Sequence, residues 1–241
     1  AGQDVAHGAA IPQQAAGCRT GAALGVVVGH PDVGVLEGHR AADADVVVVI
    51  EATESQRDRL LAALPGSYSH LVDAAERGHF GMLLLSRLPL ASSTVHRLGE
   101  RGYPSIEAMV EWEGTMVTLF GAHPHPPLGE RGTLRRDSEM AEMNGVVAAI
   151  EGPLVVLGDL NAAPWTYTVS RLNEAAGLRN VALGYGMWPT WWLGYRALGL
   201  PYDHILVSDT WEVAAFGLGP EIGSDHLPVE AVLFQTDEAS E

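Results

Sequence analysis

Residues 45–51 read DVVVVIE, a continuous run of apolar, mostly β-branched residues between two acidic ones. Such a run is typical of a strand that is buried on both faces. The next segment, TESQ at 53–56, has the pattern of a capping box that opens a helix, and Pro65-Gly66 is expected to end that helix. The region therefore predicts a central strand of a covered sheet, followed by a helix.

Similar apolar runs recur along the chain, and most of them follow one another without an intervening helix. This pattern predicts an α/β (α+β) fold in which mixed sheets pack together and helices lie outside. Helices are predicted from about residue 131 to 150 and after Thr166, the second ending at Gly177. The further strands are predicted at 82–86, 105–112, 116–122, 154–158, 204–208, 213–217 and 227–234.

The chain has 241 residues, 47% of them hydrophobic and 18% charged, which is enough apolar material for one well-packed core. We expect a loose leader at 1–20, a single domain at 21–235 and an acidic tail at 236–241. No apolar run reaches the roughly 18 residues that a transmembrane helix needs. The sequence starts without Met, which is consistent with a piece of a longer protein.

All 14 basic residues are arginine, and the 30 acidic residues give a net charge of −16. A charge of this size repels polyanions, so non-specific nucleic-acid binding is disfavoured unless a basic patch or a metal ion offsets it. Cys18 is the only cysteine, which excludes a disulfide within the chain.

Polar residues gather where the predicted strands end, which is where open α/β sheets place their binding sites. Carboxylates and imidazoles that converge there could hold a hard divalent cation and transfer protons. Each also has a plainer explanation, such as a solvated turn for the glutamate or an Asx turn for the GDLN segment. The residues are Glu51, His123, Asp159, Asn161, Asp203, Asp225 and His226.

Taken together and in this order, these segments resemble the endonuclease/exonuclease/phosphatase superfamily, which includes DNase I-like nucleases, sphingomyelinases and inositol-polyphosphate phosphatases. The resemblance covers about residues 45 to 229. HPHPP, GDLNAAPWT and MWPTWW are most similar to its bacterial envelope-associated branch, whose members often carry membrane helices ahead of the catalytic domain. The segments are DVVVVIE, GMLLLSRLPL, LFGAHPHPP, GDLNAAPW, PYDHILVS and GSDHLPV.

The resemblance implies a four-layer sandwich and a phosphoesterase that depends on Mg²⁺ or Mn²⁺. It implies that Glu51, with Asp225, binds the metal and that Asp159 orients or deprotonates the attacking water. In the same way, Asn161 and His123 would contact the phosphate, and His226 would stabilise the developing charge, supported by Asp225 or Asp203. These roles, apart from metal binding, fit phosphoryl transfer, which needs positioning and charge neutralisation above all.

The first strand departs from the family pattern. The family has an Asn near the metal, and we place Gly25 of the segment LGVVVGHPD (24–32) at that position. Ile50 stands where Gln is usual. The site is therefore expected to lose a metal ligand or a supporting contact, and His30 could compensate only weakly for Mg²⁺.

Three functions stay open at this stage. The first is a metal-dependent phosphoesterase for a lipid-linked or membrane-surface substrate, contacted through Trp188, Trp191 and Trp192. The alternative for these tryptophans is that they pack between the sheets. The second is a nuclease of the same fold, and the third a metal-deficient relative that binds ligands or performs metal-free acid/base chemistry. A cell-envelope location is favoured over a cytoplasmic one by the branch resemblance. For the nuclease, the candidate phosphate contacts are Arg131, Arg135 and Arg136.

Overall fold

The computed structural model describes residues 24–30, 44–64, 66, 68–192, 198–221 and 223–236. The predicted leader at 1–20 lies outside these residues, as does the predicted tail from residue 237 onward. Among the described residues, no helix is both long and apolar enough to cross a membrane. The helices are α1 (Glu54–Ala63), α2 (Gly129–Val147) and α3 (Tyr167–Ala176). The strands are β1 (Leu24–Gly29), β2 (Val46–Ile50), β3 (His70–Ala74), β4 (Met82–Ser86), β5 (Leu90–Leu98), β6 (Tyr103–Trp112), β7 (Thr115–Gly121), β8 (Leu154–Asp159), β9 (Leu178–Asn180), β10 (Asp203–Ser208), β11 (Trp211–Leu218) and β12 (Val229–Gln235).

The strands form two mixed sheets of six. The first has the order β11-β12-β1-β2-β4-β3, and the second has the order β5-β6-β7-β8-β10-β9. The pair β1 and β2 is parallel, as is the pair β7 and β8, whereas the other paired strands run antiparallel. Each parallel pair sits near the middle of its sheet, so the carboxyl ends of β1, β2, β7 and β8 are the natural place for a shared site.

Strand β2 is buried on both faces, as the run at 45–51 predicts. Val46, Val48 and Ile50 belong to the core between the two sheets, whereas Val47 and Val49 pack on the outer face beneath Leu60 of α1. The alternation follows from the two-residue period of a strand. The capping box of α1 is also confirmed, because Thr53 and Gln56 bond each other's backbone N–H groups.

Helices cover both outer faces and complete the predicted four-layer sandwich. Met140, Met143 and Val147 of α2, together with Val169 and Leu172 of α3, pack on the second sheet. Helix α2 begins and ends earlier than predicted. Helix α3 ends as predicted at a glycine with a left-handed backbone, φ 60° at the C-cap.

Strands β3, β5 and β9 were not predicted. All three lie at sheet edges, and β5 (LASSTVHRL) is largely exposed, with three consecutive hydroxyl residues in the middle of the strand. An edge strand that is covered on one face at most needs no continuous apolar run, so the pattern that revealed β2 does not reveal these strands.

Candidate functional site

The ends of β2, β7 and β8 and the start of β10 meet at one edge of the sandwich. Asp159 is the last residue of β8 and stands opposite Asp203, the first residue of the antiparallel β10. Glu51 directly follows β2, and His123 follows β7. Of the residues predicted to form the site, these four come together with Asn161 and His226.

A buried cluster lies at the centre of this edge. His30, Asp159, Asp203 and His226 each offer one nitrogen or oxygen atom, and these atoms lie within 4.8 Å of one another. All four residues are at least nine-tenths buried. Two imidazoles and two carboxylates held this closely make the cluster the chemical centre of the site.

Asp203 and His226 form a hydrogen-bonded pair, with 2.7 Å between His226 Nδ1 and Asp203 Oδ2. The backbone N–H of Asp203 donates to Thr190 Oγ1 at 3.1 Å, which helps to fix the start of β10. Burial alone would lower the pKa of His226, but the charge of Asp203 and its hydrogen bond raise it above 6.5. For Asp203 burial acts in the opposite direction and would raise the pKa, yet His226 holds that pKa well below its usual range. The pair therefore favours an imidazolium beside a carboxylate.

Asp159 has no such partner. Its Oδ2 lies 3.8 Å from Nε2 of His226 and 3.9 Å from Nε2 of His123. Its Oδ1 accepts the backbone N–H of Asn161 at 2.7 Å. Burial, followed by the charge of Asp203, raises the pKa of Asp159 to about 7. A carboxylate with a raised pKa suits proton transfer near neutral pH.

Asn161 connects two loops of the site. It has a left-handed backbone with φ 48°, an uncommon conformation that Asn tolerates better than most residues. Its side-chain NH₂ group donates to the backbone carbonyl of Pro124 at 3.0 Å, and the backbone carbonyl of Asn161 accepts from the guanidinium of Arg136 at 3.0 Å. Asn161 therefore holds the GDLN turn against the loop that carries His123.

His123 is 4% exposed, and burial lowers its pKa to about 4, so the imidazole is neutral. Its Nδ1 has no hydrogen-bond partner among the described residues. The close approach of β8 to this loop requires a glycine, since a Cβ on Gly158 would lie 1.8 Å from the carbonyl oxygen of Ala122. A neutral imidazole can still donate one N–H to a phosphoryl oxygen.

Glu51 leaves β2 with φ 60°, a strained conformation for this residue type. The next residue is held on both sides, because the N–H of Ala52 donates to Gly81 and its carbonyl accepts from Glu76. This bracing turns the glutamate toward the site, where its Oε2 lies 3.5 Å from Nδ1 of His30. Burial would raise the pKa of Glu51, but His30 lowers it, so the carboxylate is ionised.

His30 was not among the predicted site residues. It follows β1, and its Nε2 lies 3.6 Å from Oδ1 of Asp203. Burial opposes the charged form, but Asp203 and Glu51 raise the pKa of His30 to about 10. The placement of Gly25 beside the metal position is wrong, because Gly25 lies near the start of β1, opposite Val232, and His30 follows five residues later along extended chain, at roughly 3.3 Å per residue. The rule that located the other residues, a polar residue directly after an apolar strand, also locates His30.

Asp225 is not part of the cluster. It is exposed, and its Oδ2 accepts a hydrogen bond from Nε1 of Trp191 at 3.1 Å. Asp203 therefore supports His226, and this geometry gives no support to Asp225 as a metal ligand.

The three tryptophans proposed for membrane contact are half-buried. Trp191 stacks on Tyr202 with 5.5 Å between ring centroids, and Trp188 packs edge-on against Phe216. The more exposed apolar side chains nearby are Trp165 (61% exposed), Leu183 (70%) and Met187 (70%). These three residues line a cleft of about 270 Å³ that also reaches Asp203.

The sequence matches the model of the endonuclease/exonuclease/phosphatase family over residues 30–226. Three solved structures have the same fold. They are a sphingomyelinase C from Streptomyces griseocarneus (15% identity, 88% of this chain and 99% of that one, TM-score 0.65), a family protein from Beutenbergia cavernae (19%, 88% and 72%, TM-score 0.70) and TDP2 from D. rerio complexed with a single-strand DNA product (15%, 89% and 100%, TM-score 0.69). A comparison with curated protein sequences finds no match.

The chain belongs to the endonuclease/exonuclease/phosphatase family, as its motifs indicate. It is therefore a hydrolase of the phosphoesterase or nuclease type.

Proposed function

We propose that the protein is a divalent-metal-dependent phosphoester hydrolase that activates water for in-line attack on phosphorus. The observation that carries this proposal is the buried arrangement of Asp159 between two imidazoles, one of which is held by Asp203. It places a candidate base and candidate charge-stabilising donors around one small space.

The residues beside this space fit a cation. His30 and Oδ1 of Asp203 are buried and lack hydrogen-bond partners among the described residues, and Glu51 is ionised. Unsatisfied buried nitrogen and oxygen atoms facing one another are what a cation site provides. Glu51 would hold the ion together with His30. Bound there, the ion supplies charge neutralisation at the phosphoryl oxygens.

The other residues have separate tasks. Asp159 accepts a proton from the attacking water while the N–H of Asn161 keeps the carboxylate in place. As the bond from phosphorus to the water oxygen forms, the bond from phosphorus to the ester oxygen breaks, and the ester oxygen leaves as an alkoxide that takes a proton from the solvent. Nε2 of His226 donates to an equatorial oxygen, while Asp203 fixes the ring through Nδ1. Neutral His123 donates to the same phosphoryl group.

A substrate panel tests this function. It comprises p-nitrophenyl phosphate, bis-p-nitrophenyl phosphate, a phospholipid, polyprenyl pyrophosphate and DNA, each with and without Mn²⁺. Hydrolysis that requires the metal and is lost in Asp159→Asn supports the proposal. Hydrolysis that survives chelation would instead support the metal-free alternative, and the absence of hydrolysis on every substrate contradicts the proposal.

Glu51→Gln is expected to weaken Mn²⁺ binding by 10- to 100-fold or more, because the site loses a negative charge and an anionic ligand. The fold should persist, since glutamine has the same shape. Calorimetric titration with Mn²⁺ measures the effect. Glu113→Gln is a matched control, because Glu113 also has a left-handed backbone (φ 49°) but lies in the turn between β6 and β7. Equal Mn²⁺ affinity in the two variants would exclude Glu51 as a ligand.

The cleft beside Asp203 favours a substrate with an apolar portion. Its lining is mainly apolar and includes Asp203 of the buried cluster, so a phosphate at that cluster would leave the attached group next to the cleft. A lipid-linked phosphoester combines a phosphate with an apolar group in this way, and we propose it as the substrate class. DNA is a weaker candidate, because Arg136 is already committed to Asp137 and the carbonyl of Asn161. The residues that line the cleft include Leu183, Met187, Trp188, Ile205 and Phe216.

Met187→Glu is expected to lower kcat/KM about 10-fold for a long-chain phosphoester and to leave a short-chain one unchanged. The reason is that a charged side chain would stand where the chain binds. Leu134→Glu is the control, since Leu134 on α2 is similarly exposed (63% against 70%) but does not line the cleft. An equal loss on short and long substrates would exclude the cleft as a chain-binding site.

A further inference from the structure

We infer that His30 is a direct nitrogen ligand of the catalytic ion and that it makes the site prefer a divalent transition-metal ion to Mg²⁺. This inference rests on the proposed function only in requiring that the site binds a metal.

The position of His30 follows from strand pairing. Strands β1 and β2 are parallel, with Gly29 opposite Val49, so the residues that follow the two strands emerge side by side. Nδ1 of His30 consequently lies 3.5 Å from Oε2 of Glu51. Two ligands that each bind one ion at about 2.1 Å in tetrahedral geometry lie about 3.4 Å apart. The observed separation of 3.5 Å is close to this spacing, so the two side chains are near enough to share one ion.

Hydrogen bonding does not account for the placement of His30. The residue is 3% exposed, and neither of its ring nitrogens has a hydrogen-bond partner among the described residues. A buried imidazole without any partner is costly, and few occur in folded proteins. The ring packs against that of His226, with 4.1 Å between centroids, so the side chain is held in place while both nitrogens stay available.

The alternative to a metal ion between these side chains is a proton on His30. A protonated His30 could neutralise Glu51 and Asp203 without a metal. Charge-assisted N–H···O contacts are about 2.7–2.9 Å long, as in the neighbouring pair of His226 and Asp203 at 2.7 Å. The contacts of His30 are 3.5 and 3.6 Å, which is too long for such bonds and leaves room for an ion.

The ring nitrogen of His30 as a ligand determines which metal ion the site is expected to prefer. Mg²⁺ is hard, prefers oxygen ligands and dehydrates reluctantly. Imidazole nitrogen suits later divalent ions, and the affinity of a mixed nitrogen and oxygen site increases from Mn²⁺ toward Co²⁺ and Zn²⁺. A site that includes the ring nitrogen of His30 therefore binds Mg²⁺ more weakly than it binds these ions.

Pulsed electron paramagnetic resonance of the Mn²⁺-loaded full chain tests the ligand directly. The wild type is expected to show hyperfine coupling to a directly bound ¹⁴N nucleus, and His30→Asn is expected to lose it. His79→Asn is the control, because Nδ1 of His79 also approaches Glu51 (3.8 Å) but its side chain is 85% exposed. If His30→Asn does not fold, His123→Gln and His226→Gln take its place, and a coupling retained in both variants and in His79→Asn assigns the nitrogen to His30.

Competition between Mn²⁺ and Mg²⁺, followed calorimetrically, tests the preference. The ratio of the two affinities should fall about 10-fold or more from wild type to His30→Asn and stay unchanged in His79→Asn. Mn²⁺ binding without ¹⁴N coupling overturns the inference, as does a coupling that persists in His30→Asn. The inference is also overturned if the wild type binds no metal and His30→Asn gains Mg²⁺ binding. That result would show that protonated His30 takes the place of the cation. None of these readouts depends on turnover, so the absence of hydrolysis contradicts the proposed function alone.

Discussion

Asp159→Asn is expected to lower kcat for phosphoester hydrolysis by about 10³-fold, because the variant removes the carboxylate placed between the two imidazoles to take a proton from water. Asparagine keeps the size of the side chain and one oxygen to accept the N–H of Asn161. The loss should therefore appear in turnover, with the fold intact. A variant with near-normal kcat would show that another group is the base.

The same substitution should not destabilise the metal-free protein. Burial and the charge of Asp203 raise the pKa of Asp159 from 3.8 to about 7, so the folded state binds this proton more tightly than the unfolded chain. The contribution of Asp159 to stability therefore falls as the pH rises from about 4 to about 7. Because asparagine does not titrate, the melting temperature of the variant should rise relative to wild type between about pH 4 and pH 7 in EDTA. Asp73→Asn, at a surface carboxylate that pairs with Arg57, is the control and should leave kcat unchanged.

Most of the fold was predictable because its central strands are buried on both faces. The run that forms β2 shows this burial directly, since a strand covered on each side needs apolar residues at every position. The edge strands gave no such signal. Strand β5 alternates little and exposes several hydroxyl side chains, so only its pairing with β6 defines it.

The site was predictable where a polar residue follows a recognisable strand, as with Glu51 and Asp159. The same rule also marks His30, but it does not say which residue His30 faces, because strand register decides that neighbour. Gly25 and His30 lie in one short segment, and only the parallel pairing of β1 with β2 shows that the histidine stands beside Glu51. The family pattern suggested where an asparagine should be but did not fix the alignment of this glycine- and valine-rich strand.

Asp225 and His226 show that neighbours in the sequence can have different roles that the sequence does not distinguish. Neighbours in an extended segment point to opposite sides, and residue 226 forms a β-bridge with Trp191. The imidazole consequently turns inward to Asp203, and the carboxylate turns outward to the indole of Trp191. Sequence adjacency alone could not tell which of the two acids supports His226.

His226→Ala is expected to lower kcat by at least about 10²-fold, as for the loss of one charge-stabilising donor. Asp203 raises the pKa of His226 above 6.5, so the active imidazolium persists above pH 6.5 and is lost as the pH rises through the raised pKa. Activity should therefore show an alkaline limb that depends on this residue. His123→Ala should reduce kcat similarly, and the double variant should be clearly less than additive because both imidazoles contact one phosphoryl group.

The alternative is that His226 only ties the segment before β12 to Asp203, and melting temperature measured beside turnover separates the two roles. His96→Ala is the matched control, because His96 pairs with Glu107 at the same 2.7 Å but on strands β5 and β6. If the pair with Asp203 were purely structural, His226→Ala would lose stability while its folded fraction kept its turnover, as is expected of His96→Ala. If His226 stabilises the transition state, only its variant loses turnover, and the alkaline limb disappears with it.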